Sequence, residues 1–104
     1  MHETEIKGRS LNELAQLCHR IAVEKGFWEK ERNIGEALML IVTELAEAME
    51  AHRVQDEANF KEEIADSFIR LLDLCGGPKI DIEEEIYKKA LRNKNRPYKH
   101  GKVC

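Results

Sequence analysis

The chain has 104 residues, 42% hydrophobic and 36% charged, with 17 Lys and Arg against 20 Asp and Glu. That length holds one domain, residues 1–104, with a modest core, and it is near the size at which oligomerisation often adds buried area. Low Gly and Pro counts argue against disorder and against a turn-rich β fold, no apolar run approaches the roughly 20 residues of a membrane span, and Met1-His2-Glu3-Thr4-Glu5 has no secretory pattern, so a cytoplasmic protein is expected.

Four helices can be read in order. Ser10 with Glu13 three residues later forms a capping-box pattern, and Leu11, Leu14, Ala15, Leu17, Cys18, Ile21 and Ala22 supply a helical stripe that ends near Lys25 at Gly26. After a connection from Phe27 to Gly35, a second helix runs from about Glu36 to Arg53. It is apolar almost all round through Ala37, Leu38, Met39, Leu40, Ile41 and Val42, so much of it is expected to be buried. A turn at Val54-Gln55-Asp56-Glu57 leads to a third helix, about Ala58 to Leu74, with Cys75-Gly76-Gly77-Pro78 as its stop. Asp81 and Glu84 form another capping pattern before a fourth helix, about Ile82 to Asn93, and Pro97 prevents a simple continuation. The predicted architecture is an all-α compact bundle of about four helices, with residues 96–104 an extended basic tail.

Three cysteines, Cys18, Cys75 and Cys104, have no metal-ligand spacing and form a poor disulfide framework. Cys18 and Cys75 are expected to be packed thiols. His19, His52 and His100 have no ligand spacing and are expected to be exposed. Charge is divided unevenly. Residues 88–104 hold seven of the 17 basic residues and no Asp or Glu, which makes an acidic body with a basic tail.

The acidic body contains two pairs that carry chemistry, Glu44-x-x-Glu47 in the second helix and Glu63-x-x-Asp66 in the third. An i, i+3 spacing puts both members of a pair on one helix face, so four carboxylates can meet between two packed helices. Such a group repels itself unless a cation binds, and hard oxygen donors suit magnesium or manganese. The competing interpretation is two solvated faces in a highly charged chain. Glu44 weighs against it, because Ala37, Leu40, Ala48 and Ala51 flank it on the helical wheel and a buried unpaired carboxylate is costly. Glu63 and Asp66 fall on the polar side of their helix with Glu62, Arg70 and Asp73, which taken alone is ordinary.

In the fourth helix Lys89-x-x-x-Asn93-x-x-Arg96 lines up an ammonium, an amide and a guanidinium, if the helix persists that far; such a row can bind phosphate oxygens. In order, Glu44-x-x-Glu47, Glu63-x-x-Asp66 and this row resemble the MazG-like nucleotide pyrophosphohydrolases of the all-α NTP pyrophosphatase superfamily. The resemblance runs from Gly26-Phe27-Trp28 through the second helix to Arg96-Pro97-Tyr98-Lys99-His100-Gly101-Lys102. It implies magnesium-dependent hydrolysis of a nucleoside triphosphate between the α and β phosphates, with manganese as a substitute. It makes Glu44, Glu47, Glu63 and Asp66 the metal ligands and catalytic carboxylates, with Glu62 or Glu50 as further candidates to orient the attacking water. Lys89, Asn93 and Arg96 would grip the polyphosphate. Thr43 stands where the family often has a further Glu. The resemblance also implies a homodimer or homotetramer, with no membrane and no nucleic acid as partner.

Trp28 and Phe27 offer π-faces on which a base can stack, with capping of the bundle as the alternative for each. Two other functions compete. One is a related enzyme on the same fold that acts on deoxyuridine or deoxycytidine nucleotides or on phosphoribosyl-ATP. The other is a non-enzymatic helical module whose basic tail binds nucleic acid.

Overall fold

The computed structural model describes residues 1–98, and within them every regular element is a helix: α1 (Glu3–Ile6), α2 (Leu11–Glu24), α3 (Ile34–Arg53), α4 (Glu57–Gly76) and α5 (Ile82–Lys94). The basic residues Lys99 and Lys102, with His100 and Cys104, lie outside the described residues.

Local chemistry sets the boundaries. Ser10 accepts from the Glu13 amide at 3.2 Å and returns its own amide to Glu13 Oε1 at 2.9 Å, so the expected capping box starts α2. The helix ends in a Schellman motif. Gly26 takes φ +90, its amide donates to Val23 O, and the Phe27 amide donates to Ala22 O. The start of α3 lies two residues before the expected Glu36, because Asn33 accepts from the Glu36 amide at 3.0 Å and supplies the cap. Asp56 and Asp81 cap α4 and α5 in the same way, at 3.1 Å each.

The expected stop at Gly76-Gly77 is built differently. Gly76 remains helical, and the reversal comes at Lys79, φ 57, where the Ile80 amide reaches back to Cys75 O at 2.9 Å. Gly76 serves packing instead. A Cβ there would lie 2.5 Å from Ala15 O and 2.6 Å from His19 Cβ, so the missing side chain is what lets α4 lie against α2.

The central layer is α4, with α2 on one side and α3 on the other. Ala15, Leu72 and Cys75 form the α2–α4 core with Leu11, Leu14, Cys18 and Ile82 around it, while Ala37, Ile41 and Leu74 form the α3–α4 core with Trp28 at its edge. Cys18 and Cys75 are free thiols packed in this region, and burial pushes both above the usual thiol pKa. α5 docks on α2 through Asn12. The Asn12 amide donates to Glu83 Oε2 (2.9 Å), its side chain donates to Asp81 Oδ1 (2.8 Å), and it accepts from the Glu83 amide at 3.1 Å.

The expectation of a largely buried α3 is corrected. Only Ala37, Ile41, Ala48 and Ala51 are buried, whereas Leu38, Met39, Val42, Leu45 and Met49 are exposed. The reason is geometric. One helix, α4, covers one stripe, and among the described residues no other helix packs substantially on the rest.

Candidate metal centre and adjoining cavity

The α3–α4 packing brings the two acidic motifs together. Glu44, Glu63 and Asp66 each offer an oxygen, and these oxygens lie within 4.8 Å of one another. All three residues are partly buried, whereas Glu47, one turn along α3, is exposed. Glu63 has a pKa pushed up to about 7. Its contact with the Glu44 carboxylate is the main cause, followed by that with Glu47, then by burial and by the negative charge of both neighbours. Oε2 of Glu63 is buried without a hydrogen-bond donor. Its carboxylate neighbours are acceptors only, so this oxygen lacks the electropositive partner that a buried carboxylate needs.

These residues fit a divalent cation. The donors are hard oxygens, they converge from two helices, and the orphaned oxygen together with the mutual repulsion marks a site short of positive charge. One positive group is already present, since Arg70 Nε donates to Glu44 Oε1 at 3.1 Å.

A cavity of about 270 Å³ adjoins the cluster and is lined by Glu44, Asp66 and Arg70 on the acidic side. Its apolar wall comes from Cys18, Ile21, Ala22, Phe27 and Ile69, Lys25 adds positive charge from the α2–α3 connection, and Arg32, ion-paired with Asp73, completes the lining. That connection is pinned by a buried carboxylate. Asp73, 6% exposed, accepts from Trp28 Nε1 at 2.9 Å and Arg32 Nη1 at 2.8 Å, and lies 3.0 Å from His19 Nδ1. Arg32 also lies over the Trp28 ring at 5.0 Å, and His19 meets the ring edge-on at 4.9 Å between centroids. His19 is therefore a partly buried member of a polar hub, not the exposed histidine expected. His52, exposed beside Phe60, is as expected.

The other expected site residues are distributed as follows. Trp28 faces Asp73, Arg32, His19 and Gly77, and Phe27, 59% exposed, is the aromatic residue that lines the cavity beside the cluster. Lys89 and Asn93 lie on α5, Arg96 lies beyond its end at Lys94, and Lys89 and Arg96 share a shallow surface cavity with Arg92. Among the described residues no hydrogen bond or ion pair joins these three to the carboxylate cluster. Glu50 pairs with Arg53 at 3.4 Å, and Glu62 is exposed. Sequence reasoning missed two residues that shape the site, Arg70 and Asp73. Both continue the Glu63–Asp66 ridge of α4 at helical spacing, a signal that places Arg70 beside the cluster but does not announce the burial of Asp73.

No protein-family model matches this chain, and no curated protein and no solved structure matches it. The functional reading therefore rests on the residues and their geometry.

Proposed function

We propose that this protein is a MazG-like nucleotide pyrophosphohydrolase that converts nucleoside triphosphates to monophosphate and pyrophosphate with magnesium, or manganese in its place. The observation that carries the reading is the convergence of Glu44, Glu63 and Asp66 beside a cavity with an apolar wall and three cationic side chains. A nucleoside triphosphate needs those three surroundings together: a metal-binding acidic face, positive charge for phosphate oxygens, and an apolar surface for the base.

In this reading Glu44, Glu63 and Asp66 hold the cation, and Glu47 completes the set. The bound cation supplies positive charge at the phosphates and acidifies water. Glu47, the exposed member, orients the attacking water and takes its proton while the water oxygen bonds to the α phosphorus and pyrophosphate leaves. Phe27 and the α2 wall receive the base, and Lys89, Asn93 and Arg96 grip the polyphosphate within a homodimer or homotetramer. The uncovered apolar side chains of α3, and Ile86, Tyr87 and Leu91 of α5, support that assembly. The protein acts in the cytoplasm on free nucleotides, with neither membrane nor nucleic acid as partner.

A coupled assay tests this reading. Free phosphate should appear from a nucleoside triphosphate only after inorganic pyrophosphatase is added, and Glu47→Gln should lower kcat by about 100-fold or more while leaving the helical circular dichroism unchanged. Near-wild-type turnover in that variant would remove Glu47 from the machinery.

A further inference from the structure

Arg70 follows Asp66 by one turn of α4, so the ridge that carries Glu63 and Asp66 continues into a guanidinium. Its Nε donates to Glu44 Oε1 at 3.1 Å, with the two side chains 32% and 14% exposed. An arginine fork has five N–H donors, and among the described residues the bond to Glu44 is the only one that the Arg70 guanidinium makes. The same side chain lines the cavity beside the cluster, with Lys25 and Arg32 contributed by the α2–α3 connection.

Arg70 occupies Glu44 Oε1, and a divalent cation held by the other Glu44 oxygen would stand close enough to the guanidinium for the two positive charges to repel. A cation in the cluster therefore weakens the Glu44–Arg70 pair. We propose that Arg70 is the resident counter-ion of the cluster: it holds Glu44 in the metal-free protein, releases it when a divalent cation binds, and then binds the phosphate oxygens of the incoming nucleotide. This rests on the metal-dependent nucleotide reading above and adds to it an order of events. While paired with Glu44, Arg70 restrains cation binding; once released, it presents a planar fork that matches two phosphate oxygens. Cation and nucleotide then favour each other's binding through one side chain, and that coupling is reciprocal.

The test separates the two halves. Wild-type protein, Arg70→Met and Arg70→Lys are titrated calorimetrically with Mn2+ alone, then at saturating Mn2+ with an α,β-methylene triphosphate that cannot be cleaved at that bond. Removing the competitor should tighten Mn2+ binding by about fivefold in Arg70→Met, the size of a partly exposed ion pair. The same variant should bind the analogue about tenfold more weakly, because a charge-assisted phosphate contact is lost. Arg70→Lys, which retains the charge but not the fork, should fall between on both measures, and it carries the test if the methionine variant loses its helical circular dichroism. Unchanged or weaker Mn2+ binding in the folded variants would overturn the counter-ion role, and unchanged analogue binding would overturn the phosphate role. A wild-type protein that binds Mn2+ but cleaves no nucleotide would defeat the enzymatic reading while leaving the Mn2+ comparison decisive for Arg70.

Discussion

Glu63 holds its proton in the folded, metal-free protein up to about pH 7, against an ordinary value of 4.5. The folded state therefore binds more protons than the unfolded chain between those values, so this group makes stability fall as pH rises from 4.5 to 7 and adds no further change above that. Glu63→Gln should flatten that slope and leave the metal-free protein more stable than wild type at pH 8, because an amide removes the charge and offers a donor to Glu44 or Glu47. Urea midpoints in EDTA at pH 5 and pH 8 would show this; an equal slope in both proteins would mean that Glu63 is not strained by its neighbours. At this scale the sequence was partly legible. Glu44 stood out because a carboxylate flanked by Ala37, Leu40, Ala48 and Ala51 needs a partner, and it has Arg70. Asp73 was hidden among the polar residues of its helix. What buries it is the α2–α3 connection folding over it with Trp28 and Arg32, a tertiary event that helical periodicity does not encode.

Among the elements, α2 and α5 begin at the caps that their sequences announce, because Ser10 and Asp81 each have a backbone amide three residues ahead to satisfy, whereas Asp56 caps α4 from within a stretch that reads as a turn. Asn33 does the same for α3 but is followed by Ile34 and Gly35, and the apolar stripe that marks the helix becomes visible only later. Gly76 shows the opposite limit. A Gly-Gly-Pro run reads as a stop, yet the first glycine is a contact point between α2 and α4, and which role a glycine plays depends on what approaches it. Gly76→Ala should therefore destabilise the fold by about 1–3 kcal/mol despite alanine's better helix propensity, since Ala15 O is backbone and cannot swing aside. Chemical denaturation would measure the loss, and a stability equal to or above wild type would show that α2 and α4 can separate at no cost.

For the whole molecule, the unsatisfied feature is apolar surface. α3 was expected to be buried, but among the described residues α4 and Trp28 cover only one stripe of it and leave Met39, 62% exposed, with Leu38, Val42, Leu45 and Met49 in water. α5 adds Tyr87 and Leu91 to that uncovered surface. A self-associating protein reconciles the sequence expectation with the structure, since a second copy can cover what the first cannot. Sedimentation at micromolar concentration should give a dimer or tetramer, and Met39→Glu should shift it toward monomer by placing a charge in the shared apolar surface. A wild-type monomer would show that these side chains remain solvated. Phosphorus NMR of a nucleoside triphosphate panel with the protein and magnesium shows which phosphoanhydride bond is cleaved. Growth of pyrophosphate and nucleoside monophosphate signals that stops on adding EDTA is the predicted result; unchanged triphosphates, or diphosphate with free phosphate, would contradict it.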